Sequence, residues 1–159
     1  MKTVLLPVHP NWLELILSGK KTVEVRKTKP NETAPFRVIL YCTKGGGVLY
    51  RSKYDWTIRL TKDNRETSLS HHDILNAKVV AEFVCDSVTE HNANNQIQAY
   101  YNGTQETCLS PAEIVLYAKG KRIYYWHISD LKIYDKPKEL SEFGLKRAPQ
   151  SWCYVRCEK

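Results

Sequence analysis

Three side chains suited to acid, base or anion chemistry fall within six consecutive residues: Lys21, Glu24 and Arg26. They belong to the stretch Lys21-Thr22-Val23-Glu24-Val25-Arg26-Lys27-Thr28, which from Thr22 onward alternates polar and apolar side chains. As a β-strand, this segment turns Glu24 and Arg26 to one face and Val23 and Val25 to the other. Lys21 sits just before it. A carboxylate held between two cations stays ionised. It can accept an amino proton of a nucleobase or act as a general base. Lys21 would neutralise a phosphate or a developing oxyanion, or serve in acid–base transfer, and Arg26 would clamp an anion. The same three residues also suit a plainer role, a salt-bridge group that orients a helix against a strand.

These residues need elements to position them. Residues 3–8 read as a first strand, with Pro7 favouring a sheet edge or a strand end. A helix over 12–17 follows, with Asn11 as its cap and Ser18-Gly19 as its stop. Residues 36–42 form another β-prone run, Thr43 to Gly47 a flexible turn, and residues 77–88 the best long strand. Residues 51–76 are polar and ambiguous, with a strand possible over 56–60, and His71-His72 beside Asp73 read as an exposed turn. Ser110, Pro111 and Glu113 spell a proline-first capping box for a helix to about Ala118. Residues 123–127, 131–134 and 151–157 read as short strands. Six or seven strands against two or three short helices predict a mixed α/β, mainly β fold: a small barrel with short helices packed at its openings.

The charge is uneven. The chain has 24 basic and 17 acidic residues, and the first 62 residues hold 12 basic against 4 acidic, so they carry the whole surplus. Lys20, Lys21, Arg26, Lys27 and Lys29 surround the single acid Glu24. Such a patch attracts a polyanion, and it equally suits a solvated face. Aromatic candidates accompany it. Trp12 is a core or cleft wall or a stacking platform. Trp56 can stack on a base. Tyr124, Tyr125 and Trp126 lead into His127, which suits a pocket for a planar ring or a packed core, with Ser129 and Asp130 able to hold the imidazole. Ser151 and Trp152 open the last strand, where a side chain can line a cleft mouth.

Several classes are excluded or disfavoured. No run of 18 apolar residues exists to span a membrane, and the proline-broken start does not read as a secretory leader. The glycines at 45–47 lack the P-loop pattern. Five cysteines without a C-x-x-C pair read as reduced thiols in a cytoplasmic protein, with no disulfide framework and no metal site. Nothing calls for a cofactor, and there is no repeat, linker or internal boundary.

The segment Leu17-Ser18-Gly19-Lys20-Lys21-Thr22-Val23-Glu24-Val25-Arg26 resembles the N-terminal motif of the ASCH domain, within the PUA-like superfamily. Lys78-Val79-Val80-Ala81-Glu82-Phe83, the run from Trp126 to Tyr134, and Pro149-Gln150-Ser151-Trp152-Cys153-Tyr154-Val155 extend the resemblance, which is to a bacterial and phage branch of the family. It implies a single PUA-like domain over residues 1–159, a β-barrel with a cleft beside the helix-to-strand junction. Implied partners are single-stranded RNA or a modified nucleoside. One branch of the family hydrolyses N4-acetylcytidine. Its catalytic lysine matches Lys21 and its conserved arginine Arg26; its catalytic threonine falls at Glu24; Glu106 or Glu113 would stand for its acid. The expectation is an RNA- or nucleoside-binding cleft at Lys21, Glu24 and Arg26, aided by Lys20, Lys27, Lys29, Trp56 and His127, and lined by Trp12, Trp126 and Ser151. The alternatives are a metal-independent hydrolase acting on RNA or an N-acylated base, with Lys21, Glu24 and Arg26 as its catalytic groups, and a regulatory protein-interaction module.

Overall fold

The uninterrupted apolar run Val4-Leu5-Leu6 already sets the first strand apart, because a strand covered on one face alternates and one covered on both does not. In a computed structural model describing residues 1–62 and 72–156, β1 (Thr3–Val8) is buried along its whole length. Val4, Leu6 and Val8 face one core with Val38 and Leu40 of β3 (Phe36–Cys42), and Leu5 and Ile39 face another. β1 and β3 run parallel, which requires a crossover between them. α1 (Pro10–Leu17) and β2 (Val23–Arg26) supply it. The helix starts two residues before the expected 12–17. Pro10 takes the first helical position, where its missing N–H is no loss, and His9 rather than Asn11 is the cap. Gly19, at φ 80°, ends it.

Among the described residues the main sheet has six strands in the order β2-β8-β7-β3-β1-β9, with β7 (Val79–His91), β8 (Ile123–Lys138) and β9 (Cys153–Val155). A separate three-stranded sheet, in the order β5-β4-β6, contains β4 (Val48–Ser52), β5 (Ile58–Thr61) and β6 (His72–Ile74). His72 and Asp73 therefore lie in a strand and not in a turn; His71 is outside the described residues. The two short strands expected over 123–134 are one long strand. The break between them survives as Asp130, at φ 48°, beside shifts in the β7–β8 register.

Among the described residues the barrel expected from the sequence is not formed: the sheet keeps two open edges, β2 and β9. Local chemistry explains this. β9 is three residues long and pairs only with Thr3, Val4 and Leu5. Beyond it, β1 offers Pro7, which has no N–H to donate to a ladder. The carbonyls of Lys2 and Val8 accept from Arg37 and Thr43 on the β3 side, so strand alternation turns the Pro7 carbonyl to the opposite, open side. The edges meet instead through side chains. Arg26 Nη2 donates to the Pro7 carbonyl at 2.6 Å, and Trp152 Nε1 donates to Thr28 Oγ1 at 2.9 Å.

Both faces of this open sheet are covered. α1 and the small sheet pack over Phe36, Phe83 and Trp126. α2 (Gln96–Asn102) and α3 (Pro111–Ala118) close over Val23, Val25, Ile123 and Tyr125. The expected capping box is present in α3: Ser110 Oγ accepts from Glu113 N–H, and Glu113 Oε1 accepts from Ser110 N–H, each at 3.2 Å.

Candidate functional site at the open seam

Where β1 and β2 fail to join, the surface opens into a cleft of about 840 Å³. Its walls are the end of β1 with His9 and Trp12, β2 with Glu24 to Arg26, the outer face of α3, and residues 148–150 before β9. Lys21, Glu24 and Arg26 all line it.

Lys21 lies between the end of α1 and the start of β2, only 3% exposed. Its Nζ donates to the Thr107 carbonyl at 2.5 Å, lies 5.5 Å from the centre of the Trp12 ring and stands 3.8 Å from Glu24 Oε2. Burial draws the ammonium below its ordinary pKa, and the Glu24 carboxylate works against that shift. Glu24 is 6% exposed. Its Oε1 accepts from Arg26 Nε at 3.1 Å, while its Oε2 is buried with no hydrogen-bond donor among the described residues. A carboxylate oxygen kept from water without a donor is costly and calls for one. Arg26 is fixed from both sides, donating to Glu24 and to Pro7.

The strand parity read from the sequence accounts for this arrangement. Glu24 pairs with Trp126 of β8, and Val23 pairs with His127. Trp126, expected to line the cleft, is fully buried beneath it, edge-on to Phe36 at 5.4 Å. His127 shares the opposite sheet face with Val23, and its Nε2 lies 3.4 Å from Thr89 Oγ1. Ser129, an expected support for that histidine, donates to the Val84 carbonyl at 2.9 Å instead. Ser151 is exposed, and its neighbours Ala148, Pro149 and Gln150 line the cleft in its place. Lys20 and Lys29 are exposed and lie outside the lining. Lys27 is at the rim, its Nζ 4.9 Å from the centre of the Tyr117 ring. Trp56 is at the tip of the β4–β5 hairpin, away from the cleft lining.

The structure adds partners that local spacing does not connect. α3 brings Glu113, Leu116, Tyr117 and, just beyond its end, Lys119 to the cleft; Lys44 comes from the turn after β3. Leu116 is 77% exposed, an apolar side chain left in water at the cleft wall. Burial raises the Tyr117 phenol above its ordinary pKa. Of the two acids matched through the resemblance, Glu113 lines the cleft, while Glu106 contributes its backbone carbonyl to the N–H groups of Thr22 and Val23, at 2.9 and 3.1 Å. Lys21, Arg26, Lys44 and Lys119 against Glu24 and Glu113 leave the lining net positive. Among the described residues, no group of three or more His, Cys, Asp or Glu is placed to hold a metal ion, and no helix is long and apolar enough to cross a membrane.

Solved structures of the ASCH protein of Zymomonas mobilis resemble this fold. The protein itself matches with a TM-score of 0.64 at 19% identity, over 98% of this chain and 88% of that one. Two of its single-residue variants match with TM-scores of 0.67 and 0.66 at 17% and 18% identity, over 98% of this chain and 91% and 89% of theirs. Comparison with curated proteins gives no match. The model of the ASCH domain matches residues 6–137, which include the end of β1 and all of α1, β2 and α3 around the cleft, and the chain therefore belongs to the ASCH domain family.

Proposed function

We propose that the cleft at the β1–β2 seam binds one unstacked base or nucleoside of a single-stranded RNA. Membership of the ASCH family supports a general RNA-binding role. The observation that carries the finer reading is the Glu24 carboxylate in the cleft wall beside Lys21, whose Oε2 has no hydrogen-bond donor among the described residues. Such an oxygen accepts the exocyclic amino or ring N–H of a base, which is how a carboxylate reads a base edge. Trp12 and Tyr117 offer ring surfaces, and the cleft volume of about 840 Å³ suits a small planar ligand. Lys27 and Lys29, exposed just after β2, would take the flanking phosphates.

Binding of a 12-nucleotide single-stranded RNA, followed by fluorescence anisotropy across salt concentrations, tests this division of labour. Glu24→Gln presents a donor where an acceptor is required. It is expected to lose about tenfold or more in affinity, the 1–3 kcal/mol of a good base contact, with the salt slope unchanged. Lys27→Ala and Lys29→Ala are expected to weaken binding and to lower the slope by roughly 0.7 for each phosphate no longer neutralised. One uniform effect across all three folded variants would count against the reading.

The same residues favour a second reading, metal-independent hydrolysis of an N-acylated base or of RNA. Burial draws the Lys21 ammonium below its ordinary pKa, which eases proton release, and Glu24 and Glu113 both line the cleft. Turnover of an acylated nucleoside with a bell-shaped pH profile, abolished by Lys21→Met, would establish it; no turnover would leave a binding site.

A further inference from the structure

The β4–β5 hairpin holds an aromatic arrangement that the cleft does not use. Its tip, residues 53–57, carries two exposed aromatic side chains two positions apart, Tyr54 at 75% and Trp56 at 59% exposure. Trp56 is not loosely attached. Arg51 Cζ lies 4.5 Å from the centre of its ring. Arg51 is itself 5% exposed and pinned by two backbone carbonyls of β8, with Nη1 donating to Tyr134 at 2.8 Å and Nη2 donating to Asp135. A guanidinium anchored in the core therefore supports the indole, while more than half of the residue remains in water. This support comes at a conformational cost. Trp56 has φ 61°, a left-handed conformation that bulky residues rarely adopt. Strain of this kind, with a large apolar ring left in solvent, is a reason to look for a ligand.

The charge around the tip indicates which ligand. Residues 51–62 carry Arg51, Lys53, Arg59 and Lys62 against the single acid Asp55. Asp73 on β6 faces two of these cations, 3.9 Å from Arg51 and 3.8 Å from Lys53. A basic hairpin presenting a rigid aromatic ring has the chemistry of a single-strand stacking platform, on which any base can lie while the cations take phosphates. The turn before β4 contributes Thr43 and Lys44 to the cleft lining, and the tip follows the other end of this five-residue strand, about 17 Å along it, a span of a few nucleotides.

We propose that Trp56, braced by Arg51, is a second contact for single-stranded RNA, stacking a further base of the strand whose base is held in the cleft. This rests on the reading of the cleft as an RNA site. The test measures binding of a 12-nucleotide single-stranded RNA and of free cytidine to the full chain. The variants are Trp56→Ala, Trp56→Phe, Trp56→Gly and Glu24→Gln, with folding checked by circular dichroism. Glycine accepts the left-handed conformation without strain and keeps the hairpin testable should alanine disturb it.

Trp56→Ala and Trp56→Gly are expected to bind the RNA about tenfold more weakly, Trp56→Phe to retain most affinity, and all three to bind cytidine like the wild type. Undiminished RNA affinity in Trp56→Ala and Trp56→Gly, with Glu24→Gln impaired, would overturn the platform and leave the cleft standing. Impaired Trp56 variants beside an unaffected Glu24→Gln would keep the platform and remove the cleft reading. A wild-type chain that does not bind the RNA overturns both. Loss of self-association in Trp56→Ala without loss of RNA affinity would overturn the platform and assign the tip to contact with a second copy.

Discussion

Burial works against the Lys21 ammonium, and this has a measurable sign. Its folded pKa lies below the ordinary 10.5. Between those two values the unfolded chain binds a proton that the folded chain does not, so stability rises with pH across the window and is lost as pH falls through the folded value. Lys21→Met removes that linkage. Urea denaturation of both proteins from about pH 8 to about pH 10 is expected to show the wild-type advantage growing with pH; an advantage that shrinks would contradict the burial argument. At this scale the sequence was informative about what is local. Lys21, Glu24 and Arg26 are placed by a helix stop and a two-residue period, both readable in ten residues. Thr107, Glu113 and Tyr117 meet them from about 90 positions away, and no local pattern encodes such a meeting. His127, expected to aid the cleft, lies on the sheet face opposite Glu24 because it pairs with Val23, and that register belongs to two strands about 100 residues apart.

Among the elements, α3 bears most directly on the site, since it carries Glu113, Leu116 and Tyr117 to the cleft on eight residues. A helix this short depends on its ends. Ser110→Ala removes the acceptor that caps Glu113 N–H and is expected to cost about 1 kcal/mol, seen as a lower urea midpoint at unchanged m-value. An unchanged midpoint would mean that packing against Ala99 and Ile123, not the cap, holds the helix. This capping box was legible because its signal is three residues long. The start of α1 was not, because Asn11 is a favoured capping residue type, yet Pro10 takes the first helical position and moves the cap to His9. The continuity of β8 was not legible either, because Ser129-Asp130 reads as a break where the strand only bulges.

Over the whole molecule, the decisive feature is the seam left open between β1 and β2. Strand content and mixed class were readable from alternation and β-propensity; closure was not, because it turns on a three-residue β9 and on a proline that withholds one N–H. The core around this seam also predicts thiol chemistry. Cys42 and Cys85 are fully buried, and burial pushes each thiol up to about 12. Alkylation at neutral pH followed by mass spectrometry is expected to label the partly exposed Cys108 before Cys42 and Cys85, which react only as the chain unfolds globally. Prompt labelling of Cys42 or Cys85 in the native protein would mean that the core opens locally.

The central claim is that a base enters the seam and meets Glu24. An amide-resolved NMR titration of the chain with short single-stranded RNA, at two salt concentrations, tests it most directly. The account predicts shifts centred on Lys21, Glu24, Arg26, Tyr117 and the Trp12 indole that persist at the higher salt. Shifts that are absent, or spread over the basic half and erased by salt, would contradict it and return Lys21, Glu24 and Arg26 to the purely structural task of tying α1, β1 and β2 together.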